Sequence, residues 1–366
     1  KAPSSILEVA KGIQRMDSNV PQVKALVSGL MKHYFAARMP PEQFTILSRL
    51  KDIKLDNAMT DQLLSHIQPL LQNGQLAAAA ALRAISAAGY DHPSIPNMIQ
   101  SIARQLERRP IDPSSMPEIL QVIQRFRNSA VNVDAIVDII ANQIRQSNVT
   151  LTADQITSLC GASRGLSNNS NPVALLLYGL AMRLAEVSTE LNEAQFLAAL
   201  PMIESIGATG STQVLSVLSN VLANSSFVPS GDSFIRSLTH FRMLESPSPV
   251  LEELLNQMAH KIVSMDESVS LEVVIEALEA IAHCNPPAIL TEALVQRMSN
   301  EWYLNTKLSS LAKLCCILHS NYFAPTQKKQ LMKTLVTALR ENQDQCTSEE
   351  AVLFLVGLRQ ASFNDP

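Results

Sequence analysis

Apolar residues recur along this chain at steps of three and four, in stretches that themselves recur. Leucine-centred stretches return at Leu47, Leu82, Leu120, Leu159, Leu200, Leu238, Leu278, Cys315 and Leu355, spaced 35 to 41 residues apart. From Gln195 to Ile206 the apolar side chains fall on one stripe of a helix. The same stripe appears at Phe44, Leu47, Leu50 and Ile53, at Phe234, Ile235, Leu238 and Phe241, and at Val274, Ile275, Leu278 and Ile281. Residues 76–88 are a run of alanine and leucine with strong helix propensity, and their small side chains let a neighbour approach closely. A return of about 20 to 50 residues marks repeat architectures, in which each unit buries its apolar face against its neighbours.

Each repeat reads as a pair of helices. Second helices are expected near 20–38, 56–72, 94–109, 132–146, 172–187, 211–225, 248–264, 287–302 and 326–341. Turn signals separate the pairs at Pro40-Pro41, Asn73-Gly74, Asp112-Pro113, Ser167-Asn168-Asn169, Pro229-Ser230-Gly231 and Asn285-Pro286-Pro287. Thr152 and Ser348 sit where helix caps belong. The expected fold is all-α, a right-handed superhelical solenoid of about nine two-helix repeats with a period of roughly 38 residues, one domain over 1–366. The last first-type helix, near 349–361, has no following partner, so the array ends there on a half-repeat or the chain continues.

Composition agrees with this picture. Of 366 residues, 46% are apolar, 17% are charged and only 11 are glycine, which favours burial in helices over disorder. No run of about 18 purely apolar residues occurs, so no membrane insertion is expected. The five cysteines form no CxxC pair and no zinc spacing, which suggests free thiols in a reducing compartment. The chain starts at Lys1, so no targeting segment can be read from it. Net charge is −4, but residues 1–150 carry 16 basic and 12 acidic side chains and the rest carry 13 and 21. Any polyanion contact therefore belongs in the first half.

Catalytic motifs are missing from the pattern. The seven histidines make no HExxH or paired ligand spacing, and His283-Cys284 and Cys315-Cys316 read as packing residues rather than a metal site. Gly161 and Gly165 lie within a helical stripe, not after a strand. The carboxylate pairs Glu252-Glu253 and Glu349-Glu350 read as solvated faces or first-turn charges. No cofactor, metal, small-molecule substrate or catalytic residue is expected.

Basic side chains at helical spacing are the better candidates. Lys24, Lys32 and Arg38 belong to the first second-type helix, Arg104, Arg108 and Arg109 to the third, and Arg125 and Arg127 to a first-type helix. Lys328, Lys329, Lys333 and Arg340 lie on the last second-type helix. Such residues form strips for RNA phosphates, or plain solvated faces paired with a neighbour such as Glu107. A second surface is the charge-free segment 211–224, where Gln213, Ser216, Asn220 and Asn224 make a polar stripe suited to a protein interface. Aromatic residues are only 4%, which disfavours base stacking along that stripe.

In Phe44–Ile53, Phe196–Ile206 and Val352–Leu358 the chain resembles degenerate organellar helical repeats. These are the heptatricopeptide and octotricopeptide class, and the armadillo/HEAT-like subunits of mitochondrial RNA-processing assemblies in protists such as kinetoplastids. The resemblance covers nearly the whole chain through period and apolar stripe, and carries over no functional residue. It implies a non-catalytic scaffold and RNA-binding subunit of a mitochondrial ribonucleoprotein complex, active in RNA editing or transcript processing in the matrix among other protein subunits. Two alternatives stay open: a cytoplasmic armadillo/HEAT-like protein adaptor without RNA, and a structural subunit of a mitochondrial ribosome or other large particle.

Overall fold

The computed structural model of the chain describes residues 8–9, 12–13, 16, 20–36, 57–74, 76–88, 92–126, 132–146, 149–166, 170–206, 212–244, 247–298, 307–318, 323–341 and 347–362. Arg38, Arg127 and the Phe44–Ile53 stripe lie outside them. The chain is all-helical, with one isolated bridge between Val269 and Met298 among the described residues. Its contacts fall into two units, Lys1–Gly179 and Leu180–Pro366.

The first unit holds α1 (Pro21–Ala36), α2 (Asn57–Gln72), α3 (Ala78–Ala88), α4 (Ile95–Arg108), α5 (Met116–Gln124), α6 (Asp134–Arg145), α7 (Ala153–Ala162) and the start of α8 (Asn171–Glu186). α1 packs on α2; beyond that α2 packs on α4 and α4 on α6, with α3 on α5 and α5 on α7 alongside, and α3 also touches α2 and α4. The reason is the stripe. In α4, Ile95, Met98, Ile99, Ile102, Ala103 and Leu106 are buried, leaving Arg104 and Arg108 on the opposite face. Polar ties reinforce these contacts between residues 32 to 38 positions apart. Gln143 on α6 is buried and its Oε1 accepts from Ile111 N at 2.9 Å, while its amide donates back to Ile111 O. Gln124 reaches Ala162 O, and Arg83 pairs with Glu118. Thr152 caps α7 as expected, in a reciprocal box with Gln155. The helical stripe there stops at Ala162, and Gly165 turns out of it with φ +75°.

The second unit continues with α9 (Glu193–Ala199), α10 (Thr212–Asn224), α11 (Gly231–Arg236), α12 (Pro249–Val263), α13 (Leu271–Ile281), α14 (Ala288–Arg297), α15 (Leu308–Ile317), α16 (Pro325–Glu341) and α17 (Ser348–Ser362). Here α10 packs on α12 and α12 on α14, while α9, α11, α13, α15 and α17 form the other sequence of neighbours. Phe196, Phe227 and Phe234 meet with ring centroids 5.6 to 6.5 Å apart and tie α9 to α11. Two expected helices are divided. α9 gives way to a 3-10 segment over Leu200–Ser205, because Pro201 has no N–H to continue the α pattern. α11 gives way to one over Ser237–Met243, where the Ser237 and Thr239 hydroxyls donate to Phe234 O and Arg236 O. At α17 the cap is Thr347, not Ser348: Glu350 N donates to Thr347 Oγ1 and the Glu350 carboxylate accepts from Thr347 N.

Candidate nucleic-acid interface

Three of the basic candidates meet at one place. Arg104 and Arg108 stand a turn apart on the solvent face of α4, and Arg109 follows them. Arg109 cannot extend the helix, because the residue before Pro110 is driven out of the α region; its backbone is extended at φ −136°, ψ 125°. Its guanidinium then lies over Gly74, the residue that ends α2 with φ +67°. A cleft of about 330 Å³ opens between the α2 terminus and α4, lined by Gln72, Asn73, Gly74, Ser101, Gln105 and the three arginines.

All three arginines are exposed, and among the described residues none of the three side chains makes an ion pair or hydrogen bond. The contrast with the second unit is informative. There a basic residue in the last helical turn reaches back to carbonyls at or just past the end of the helix two before it. Lys261 donates to Ser225 O at 2.8 Å and Phe227 O at 2.9 Å and sits over the Phe227 ring, while Arg297 donates to Val263 O. Burial lowers the Lys261 pKa, and these acceptors offset that cost. At the α2–α4 junction, Gln105 does the reaching instead, donating to Leu76 O at 3.2 Å. The guanidinium groups are left unspent, and three positive charges around one concavity attract phosphate.

The remaining candidates lie elsewhere. Lys24 and Lys32 are exposed on α1 and do not line the cleft. Arg125 is half-buried at the end of α5 and its Nη1 faces Ser86 Oγ at 3.4 Å. In the second unit, Gln213, Ser216, Asn220 and Asn224 all lie exposed along one side of α10, so the uncharged stripe is a real surface. Sequence reasoning missed Gln72, Asn73, Ser101 and Gln105 as companions of the arginines. Its one available signal was the Asn73-Gly74 turn.

No group of three or more His, Cys, Asp or Glu side chains converges among the described residues, and none of their helices is long and apolar enough to cross a membrane. Cys284 points to Leu244 O, and Cys315 to Phe354 O, as packing residues. Burial pushes the thiols of Cys160 and Cys315 up to about 12 and that of Cys284 up to about 11. Folded values above the ordinary 9.0 mean that the neutral thiols favour the native state at lower pH, and that this contribution is lost as pH climbs from there through about 11 to 12. Ellman's reagent at about pH 8 is expected to leave these three thiols untouched in the native protein and to count them after denaturation. Fast native labelling of Cys160 would contradict the packing.

The sequence matches no protein-family model and no curated protein. The reading of this surface therefore rests on its own geometry.

Proposed function

We propose that the chain is a non-catalytic, RNA-binding scaffold, a right-handed solenoid of about nine two-helix repeats with a period of roughly 38 residues. The observation that carries the RNA reading is the convergence of Arg104, Arg108 and Arg109 on one cleft with no carboxylate partner. The solenoid reading draws support from the next-but-one packing of α2, α4 and α6 and of α10, α12 and α14, and from ties such as Gln143 to Ile111 and Lys261 to Ser225 that span about one expected period. The exposed stripe of α10 would take up protein subunits, since uncharged amides and hydroxyls can be buried at lower cost than charges. Placement in a mitochondrial RNA-editing or transcript-processing complex comes from the resemblance of the repeats alone.

The test is a binding titration. Anisotropy of a labelled 12-nucleotide RNA, measured between about 50 and 300 mM KCl, should give a log–log slope of about −2, since each phosphate neutralised on a single strand contributes about −0.7. Absence of RNA binding at the lowest salt would leave the protein-adaptor reading, which the α10 stripe favours.

A further inference from the structure

The arginine cleft has a neighbour of opposite character. A second recess of about 310 Å³ shares Gly74, Gln105 and Arg109 with it and is otherwise walled mainly by apolar side chains, including Leu76, Leu106 and Ile119. Three alanines, Ala77, Ala78 and Ala79, leave the space open on the α3 side. The one carboxylate at this recess, Asp112, repels a second phosphate there. At the shared wall, Gln105 spends its amide N–H on Leu76 O, while its Oε1 is buried and accepts no hydrogen bond. A buried acceptor without a donor costs free energy until a donor reaches it.

A cationic compartment beside an apolar one, with a lone acceptor and a guanidinium plane between them, matches the two halves of a nucleotide. We propose that the second recess seats one unstacked nucleobase of the bound RNA, stacked on Arg109 with its edge N–H toward Gln105, while its phosphate lies among Arg104, Arg108 and Arg109. Single-stranded RNA is held in this way elsewhere, by splayed bases stacked on aromatic rings or arginine planes. The proposal rests on the RNA reading above and adds to it a contact that phosphates alone do not make.

The experiment compares two ligands of equal charge. A labelled 12-nucleotide RNA and an abasic ribose-phosphate strand of the same length are titrated at about 100 mM KCl. The wild-type chain should bind the intact strand about tenfold more tightly or better, the usual worth of one stacked base. Ala77→Phe, at an exposed position of the recess, should abolish that preference while leaving abasic affinity unchanged, with circular dichroism confirming the fold. Equal wild-type affinity for both strands overturns the base seat and leaves the phosphate reading standing. Binding of neither strand overturns both. A preference that survives Ala77→Phe overturns the assignment of the base to this recess.

Discussion

The R104E/R108E/R109E chain is expected to bind a 12-nucleotide RNA at least about 100-fold more weakly than wild type at 100 mM KCl. The argument is electrostatic. Each arginine brings a fixed positive charge to one cleft and none is neutralised by the protein. Reversal replaces three attractions by three repulsions at a concave surface, where fields add. Replacement by glutamine separates charge from shape: affinity should fall less, and the salt slope should flatten by about 2, the share of three phosphates. Stability should barely change, because all three side chains are exposed and surface substitutions of this kind lie within about 0.5 kcal/mol each. Unchanged RNA affinity in the glutamate variant, with a native melt, would remove the cleft from consideration. The same reversal at Lys328, Lys329 and Lys333 on α16 is the control, and its effect should be much smaller.

Gly357→Val is expected to release α17. Gly357 is buried against α15, and a Cβ built on it would lie 2.7 Å from the Cys315 carbonyl carbon, 2.8 Å from Cys316 N and 2.9 Å from Cys315 Cβ. Two of these atoms are backbone and cannot turn aside, so the helices must part. Overpacking of this kind costs about 1–3 kcal/mol or more. α17 has little else to hold it, since Val352, Leu353, Leu355 and Val356 are 43% to 66% exposed and only Phe354 and Gly357 are recorded as buried along its described face. Hydrogen exchange should therefore accelerate across 348–362 and Cys315 should become reactive, while the first unit melts as before. Wild-type protection of α17 in the variant would show that the contact with α15 is not what secures it.

Much of the architecture was legible from periodicity alone. The expected second helices at 56–72, 94–109 and 326–341 match α2, α4 and α16 to within a residue at each end, because an apolar stripe at helical spacing admits one burial face. What periodicity misses is hydrogen bonding. A stripe reads the same through Pro201 or past Ser237, yet both places switch from α to 3-10, since one lacks a donor and the other offers a competing hydroxyl. Thr347 outcompeted Ser348 for the cap because its carboxylate partner, Glu350, stands at the spacing a capping box needs. The arginines were visible as a cluster, but their cleft was not. It needs Gly74 brought from 35 residues earlier in the chain and Arg109 turned aside by Pro110. The ties of Lys261 and Arg297 leave no mark in the sequence for the same reason, as their acceptors lie 34 to 36 residues upstream.

Those backward-reaching side chains have a mechanical corollary. Lys261 fastens its own helix end to the segment before it, and Arg297 does the same one step later, so each rivet joins two neighbours and none crosses a longer span. Under tension along the chain such fasteners fail in sequence. Each failure would release a length of about 120 Å, the 34 to 36 residues that a tie spans drawn out as extended backbone, and each released segment could snap back against a neighbour still in place.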